Sequence, residues 1–162
     1  MVAGTLPICY LNARILFDPG ALHSFMSPIF SSIMEWQPSK LLILLYVATL
    51  LSDELEIDIV FPSYPVLVEG RELLADLVLL DVIDFDVIMG MDWLAKHYAT
   101  VDYRENEVIF RISNDEEFQF RGNKSLMPQN LISSMTVGKM LRRGCQGYLA
   151  VVRDVEADKG AV

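Results

Sequence analysis

Cysteine is scarce in these 162 residues: Cys9 and Cys145 are the two, and they lack Cys-x-x-Cys spacing. That excludes a disulfide framework and a thiolate metal centre and leaves free thiols in a reducing, cytoplasmic compartment as the expectation. Positive charge is scarce too, with 13 Lys and Arg against 22 Asp and Glu and a formal net charge of −9. A nucleic-acid surface needs clustered cations to displace counterions from phosphates. The one basic cluster, Lys139 to Arg143, is too small for that and suits a helix C-terminus equally well, so no nucleic-acid partner is expected. Long apolar runs are missing as well. The longest, Leu41 to Leu51, stops at Ser52-Asp53-Glu54, well short of the roughly 20 residues that cross a bilayer. No basic region precedes the first apolar residues and Arg14 interrupts them, so neither a signal peptide nor a membrane partner is expected. Internal repeats and low-complexity segments are also lacking.

What the chain has in quantity is apolar surface. The hydrophobic fraction is 52% and mean hydropathy is +0.34, more than one small soluble monomer needs to fill its core. A partner covering part of that surface is implied, and self-association is the simplest form. The length allows one core with an appendage.

Taken in order, Ile8 to Leu11 and Ala13 to Phe17 read as two strands around a turn at Asn12. Phe25, Ile29, Ile33 and Met34 recur at helical spacing, and Pro28 sets a short helix starting near Ser27. Leu41 to Thr49 and Leu55 to Phe61 form a long hairpin, followed by a connector, Pro62-Ser63-Tyr64-Pro65. Val66 to Val68 and Leu73 to Leu80 are strands around Glu69-Gly70. Val87 to Met89 is a short buried strand, Gly90 permits close backbone approach, and Asp92 is placed to cap a helix from Trp93 to His97. His97 is a helix-end residue. Ala99 to Asp102, Val108 to Ile112 and Phe118 to Phe120 complete a β unit near Gly122. Asn123 to Asn130 is a polar, Pro-containing break, and Leu131 to Leu141 carries a rough helical stripe.

Two stretches carry chemistry. Ala13-Arg14-Ile15-Leu16-Phe17-Asp18-Pro19-Gly20-Ala21 is an apolar run that delivers an aspartate to a turn, and Asp84-Phe85-Asp86-Val87-Ile88-Met89-Gly90-Met91-Asp92-Trp93-Leu94 follows far downstream. Together they resemble the retropepsin-like aspartic peptidase domain of Ty3/gypsy-type retrotransposon gag-pol polyproteins. His23 to Pro28, Gly70 to Leu77, Lys96 to Arg104 and Leu141 to Ala150 match in the same order. The resemblance implies an all-β, retropepsin-like closed barrel with a flap hairpin and short helices in residues 1–122, and a helical connector toward reverse transcriptase in 123–162.

The resemblance also assigns roles. Asp18 is the catalytic residue and Pro19, Gly20 and Ala21 complete its loop; Thr49, Leu50, Leu51 and Ser52 form the flap tip; Ile88, Met89, Gly90 and Asp92 form the structural second motif. The flap tip lacks the family's Pro and Gly. No cofactor or metal is implied. Carboxylate-driven peptide hydrolysis needs two aspartates close enough to share a proton, one activating water and the other polarising the carbonyl. One Asp-x-Gly-Ala loop per chain then implies a homodimer acting on a polypeptide, the element's own polyprotein. Pro19 departs from the family's Ser or Thr, whose hydroxyl and amide tie the two loops together, and proline has neither. Leu22 stands where the family has a Thr. The alternative is therefore a catalytically dead dimerisation or peptide-binding module.

Two other constellations have plainer readings. His23-Ser24 are adjacent and lack a nucleophile elbow, which argues against a serine nucleophile. Asp81, Asp84 and Asp86 lack the calcium-loop pattern and read as solvated carboxylates.

Overall fold

The computed structural model describes residues 1–35, 38–48, 54–82, 84–112, 116–127, 143 and 151–154. Strands β1 (Val2–Ile8) and β2 (Leu11–Phe17) pair antiparallel from Val2↔Phe17 to Ile8↔Leu11. Their turn is Cys9–Tyr10, not Asn12, which lies inside β2 opposite Pro7. Both turn residues have positive φ, 47° and 67°. That backbone matches the right-handed twist of a two-residue hairpin but is normally signalled by Asn-Gly, so the residues themselves gave no cue.

A short strand β3 (Phe25–Met26) leads to α1 (Pro28–Ser32), whose first turn is held by Ser27 Oγ accepting from the Phe30 amide at 3.1 Å. This is the helix expected from Ser27-Pro28. Strand β4 (Ser39–Ala48) precedes β5 (Glu54–Val68), and the two lie side by side in the sheet as the arms of the expected hairpin. The flap-tip residues Thr49 to Ser52 lie outside the described residues. The expected connector Pro62 to Pro65 is instead part of β5, which slips register between Phe61 and Tyr64 as it pairs with β6 (Arg71–Leu79). Ser63, at φ 56°, donates its amide to the Asp76 carboxylate at 2.8 Å. The bulge accommodates Pro62 because its residues leave the hydrogen-bonded ladder, while Pro65 stays in register opposite Leu74.

Strand β7 (Val87–Met89) completes the barrel in the order β1-β2-β7-β3-β6-β5, and the Ile8↔Val66 pairing brings β5 back to β1. The result is a mostly β fold around a closed six-stranded barrel, as the resemblance implied. Helix α2 (Met91–Lys96) leads into a separate three-stranded sheet of β8 (Ala99–Asp102), β9 (Glu107–Phe110) and β10 (Phe118–Arg121). Phe17, Tyr64, Trp93, Phe110 and Phe120 share one buried cluster. Fully burying side chains of this kind stabilises by about 1.5–3 kcal/mol each.

The chain divides into two compact units. The first joins 1–40 with 59–127 and holds the barrel. Its end is a single 3-10 turn at Lys124–Leu126, tied down where the Asn123 amide donates to Ala3 O at 2.7 Å. The second joins 41–58 with 128–162 and contains β11 (Val151–Asp154), antiparallel to β4 from Val151↔Ala48 to Asp154↔Leu45. This strand was not anticipated from sequence, and the expected helix at 131–141 lies outside the described residues. Among the described residues no helix is long and apolar enough to cross a membrane.

Candidate active site

The last three residues of β2, Ile15 to Phe17, are apolar and buried, Ile15 and Phe17 completely so. The strand runs parallel to β7 with Phe17 opposite Met89, and beyond that pair the Asp18 amide donates to Met89 O at 2.9 Å. Asp18 is the first residue to emerge. Its carbonyl accepts from the Ala21 amide at 3.1 Å, and its Oδ1 accepts from the Gly20 amide at 2.9 Å. Residues 18–21 thus form a β-turn with the carboxylate folded over it. Pro19 occupies the second position, where its ring-locked φ fits such a turn, so proline is compatible with the loop's own conformation.

The other arm of the loop is stitched to the second motif. Ala21 O accepts from the Met91 amide at 2.7 Å and Leu22 O from the Asp92 amide at 3.2 Å. The backbones approach so closely that a Cβ on Gly90 would collide with the carbonyl oxygens of His23 and Ala21. Glycine is required there by space. Ile88 is half-buried beside Ala3, Leu16 and Phe85, and Met89 is wholly buried in the main core.

Asp92 departs from expectation. The N-cap of α2 is Gly90, without a side-chain cap, and Asp92 sits inside the first turn. Its carboxylate accepts from the Ser24 amide at 3.2 Å, from Ser24 Oγ at 2.7 Å and from the Trp93 amide at 2.7 Å. Ser24 Oγ in turn accepts from the Gly90 amide at 3.0 Å. Ser24 is the site residue that sequence reasoning missed. Adjacency to His23 invited comparison with a nucleophile, whereas its partners lie 66 and 68 positions away. It is fully buried and its hydroxyl is committed on both sides.

The structure therefore brings Asp18, Pro19, Gly20 and Ala21 together with Met89, Gly90 and Asp92. Among the described residues no hydrogen bond joins Asp18 to a second carboxylate. Asp86, read as solvated, instead accepts from the Arg14 amide at 2.7 Å and pins the loop before β7 to β2. The described residues contain no cluster of three potential metal ligands.

A cavity of about 580 Å³ lined by Cys9, Tyr10, Leu11, Ile33, Met34, Glu35 and Pro65 lies at the turn end of the hairpin. Strand β2 separates it from Asp18 by roughly 20 Å at the usual rise per residue. Burial, and then the neighbouring Glu72 carboxylate, push the Cys9 thiol up from its ordinary value, so this cysteine favours the neutral thiol over the thiolate.

Residues 1–116 match the retroviral aspartyl protease family. Among solved structures, the retroviral protease-like domain of Ddi1 from Leishmania major is similar at 16% identity, with a TM-score of 0.51 over 76% of this chain and 97% of that one. The EIAV protease complexed with the inhibitor HBY-793 is also 16% identical, with a TM-score of 0.48 over 62% of this chain and 90% of that one. No match is found among curated proteins.

Proposed function

Since this chain belongs to the retroviral aspartyl protease family, we propose that it is an aspartic endopeptidase working as a two-fold homodimer, with Asp18 supplied once by each subunit. The observation that carries this reading is the placement of Asp18 at the end of a buried strand, in a turn interlocked with the Gly90 motif and emerging from the core. The two carboxylates share one proton, because two like charges in contact cannot both ionise. The ionised Asp18 takes a proton from the attacking water. Asp18 of the partner subunit, protonated, donates to the scissile carbonyl oxygen and stabilises the charge that develops there. The substrate is an extended polypeptide added as a strand between flap and barrel floor. Its source is the Ty3/gypsy-type polyprotein of which this chain is a part, residues 123–162 serving as the connector toward reverse transcriptase.

Pro19 favours a second reading, a catalytically dead module that dimerises or binds peptides. Proline offers no hydroxyl and no amide hydrogen to the opposite loop, so the grip between subunits is weakened while the turn itself is kept. The two readings separate in a cleavage assay at mildly acid pH with a peptide library. Rate is followed against protein concentration for wild type, Pro19→Ser and both with Asp18→Ala. The peptidase reading expects Pro19→Ser to cleave faster, with a dependence on concentration squared at low concentration, and Asp18→Ala to abolish cleavage. Wild type cleaving as well as Pro19→Ser would show that Pro19 costs nothing. Silence from all variants would leave the binding module.

A further inference from the structure

Every polar group of Ser24 has a partner. Its N–H and Oγ–H go to the two oxygens of Asp92, its Oγ accepts from Gly90 N–H, and its carbonyl accepts from Val78 N–H at 2.9 Å. Those partners belong to β6, the residue after β7, and α2. One small buried residue thus joins three elements at the downstream foot of the Asp18 loop, its side chain reaching Gly90 and Asp92 and its carbonyl β6. Asp92 faces donors alone at this junction: the Ser24 amide, the Ser24 hydroxyl and the Trp93 amide. An acceptor-only carboxylate satisfies all three, whereas an amide side chain would set its own N–H group against one of them.

The consequence for Asp18 follows from chain length. The loop is anchored upstream by Asp18 N–H on Met89 O and downstream by the backbone bonds of Ala21 O and Leu22 O to the start of α2, which the Ser24–Asp92 pair locks in place. Within it the Gly20 amide holds Asp18 Oδ1, so the carboxylate's rotamer depends on where Gly20 sits, and Gly20 depends on both anchors. We propose that Ser24 and Asp92 are positioning residues for Asp18: their hydrogen-bonded pair holds the loop so that the carboxylate is oriented within a single subunit, before a second copy docks. The proposal rests on the reading of Asp18 as the reacting group. In this chain the role is the more necessary because Pro19 removes two of the groups that would otherwise order the loop across the axis.

The test is made on the full chain by NMR and by kinetics. Asp18 χ1, from three-bond couplings, and amide exchange at Gly20 and Ala21 are compared among wild type, Ser24→Ala, Ser24→Thr and Asp92→Asn over a range of protein concentrations. Expected is one Asp18 rotamer in wild type at every concentration. Ser24→Ala and Asp92→Asn should show rotamer averaging and about tenfold faster exchange at Gly20 and Ala21, with exchange at Ile15 and Phe17 in β2 unchanged. Ser24→Thr, which keeps the hydroxyl, should restore the wild-type pattern. In a Pro19→Ser background, Ser24→Ala should lower kcat about tenfold with KM little altered, as expected when orientation and not binding is lost.

A single Asp18 rotamer in folded Ser24→Ala or Asp92→Asn overturns the proposal. So does a loss of protection spread evenly along β2, the mark of general destabilisation, and so does an Asp18 that becomes ordered in wild type only as dimer forms. Should Ser24→Ala fail to fold, the nearly isosteric Asp92→Asn carries the same comparison. Absence of cleavage in every variant, Pro19→Ser included, counts against the peptidase reading alone, because the rotamer and exchange comparison decides the positioning role without activity.

Discussion

The two ends of the β1–β2 hairpin are built on opposite plans. At the turn end Cys9 and Tyr10 adopt strained left-handed backbone; the Cys9 amide donates to Pro65 O at 3.2 Å, while Tyr10 is 98% exposed. At the open end the chain from Asp18 to Ser24 is unstrained, without a positive φ, and is held by groups about seventy positions away in β7 and α2. The exposed tip of the first end, Tyr10, can be altered with little consequence elsewhere. The second is a junction, where one lost contact moves several elements. A hairpin thus keeps its strain far from the residue whose orientation matters.

The strongest way to break this comparison is at the junction. Gly90→Ala inserts a methyl group between backbone oxygens that cannot move aside, and should destabilise by about 3 kcal/mol or more, read from the urea midpoint. An Ala tolerated there would mean that the two arms are not in fact pressed together. Next comes Pro19→Ser, which sharpens the distinction between order inside a subunit and grip between subunits. Restoring one buried hydrogen bond per subunit should tighten a homodimer by about 2 kcal/mol, roughly thirtyfold, by sedimentation, with the urea midpoint of the monomer little changed. An unaltered dimer would place the Asp18 loop away from the axis.

Smaller effects are expected at the turn end. Tyr10→Gly relieves a left-handed strain of about 1–2 kcal/mol and adds glycine's unfolded-state entropy of about 0.5–1 kcal/mol, for a net gain of roughly 0.5 kcal/mol. A loss in its place would show that Tyr10 packs on something that holds it.

The smallest effect is a pH slope at His97. Burial lowers its pKa below 6.5, an effect that the hydrogen bond of Nε2 to Leu74 O at 2.8 Å partly offsets and Lys96 reinforces. The unfolded chain therefore binds the proton more readily. Stability from the neutral ring is present above pH 6.5 and falls as pH drops through that value toward the folded pKa. Replacing it, His97→Gln, should flatten the urea midpoint between pH 7 and pH 5. An unchanged slope would assign the acid sensitivity elsewhere.

Much of this was legible in the residues. Val87–Met89 and Ala99–Asp102 are strands to the residue, and Ser27-Pro28 announces α1. These signals are local: a short apolar run between turn residues, a hydroxyl followed by proline. The motif pair around Asp18 and Gly90 likewise pointed to a barrel built of both, and the barrel is there. Sequence by itself therefore determined the class of fold. Tertiary structure alone decided that β5 continues through two prolines, that the hairpin turns at Cys9–Tyr10, and that Asp92 serves Ser24 in place of its own helix. Each of these depends on a hydrogen-bond partner outside the local run of residues: Asp76 for the bulge, Pro65 O for the turn, Ser24 for the carboxylate. Such pairings have no period in one dimension and arise only when the chain closes on itself.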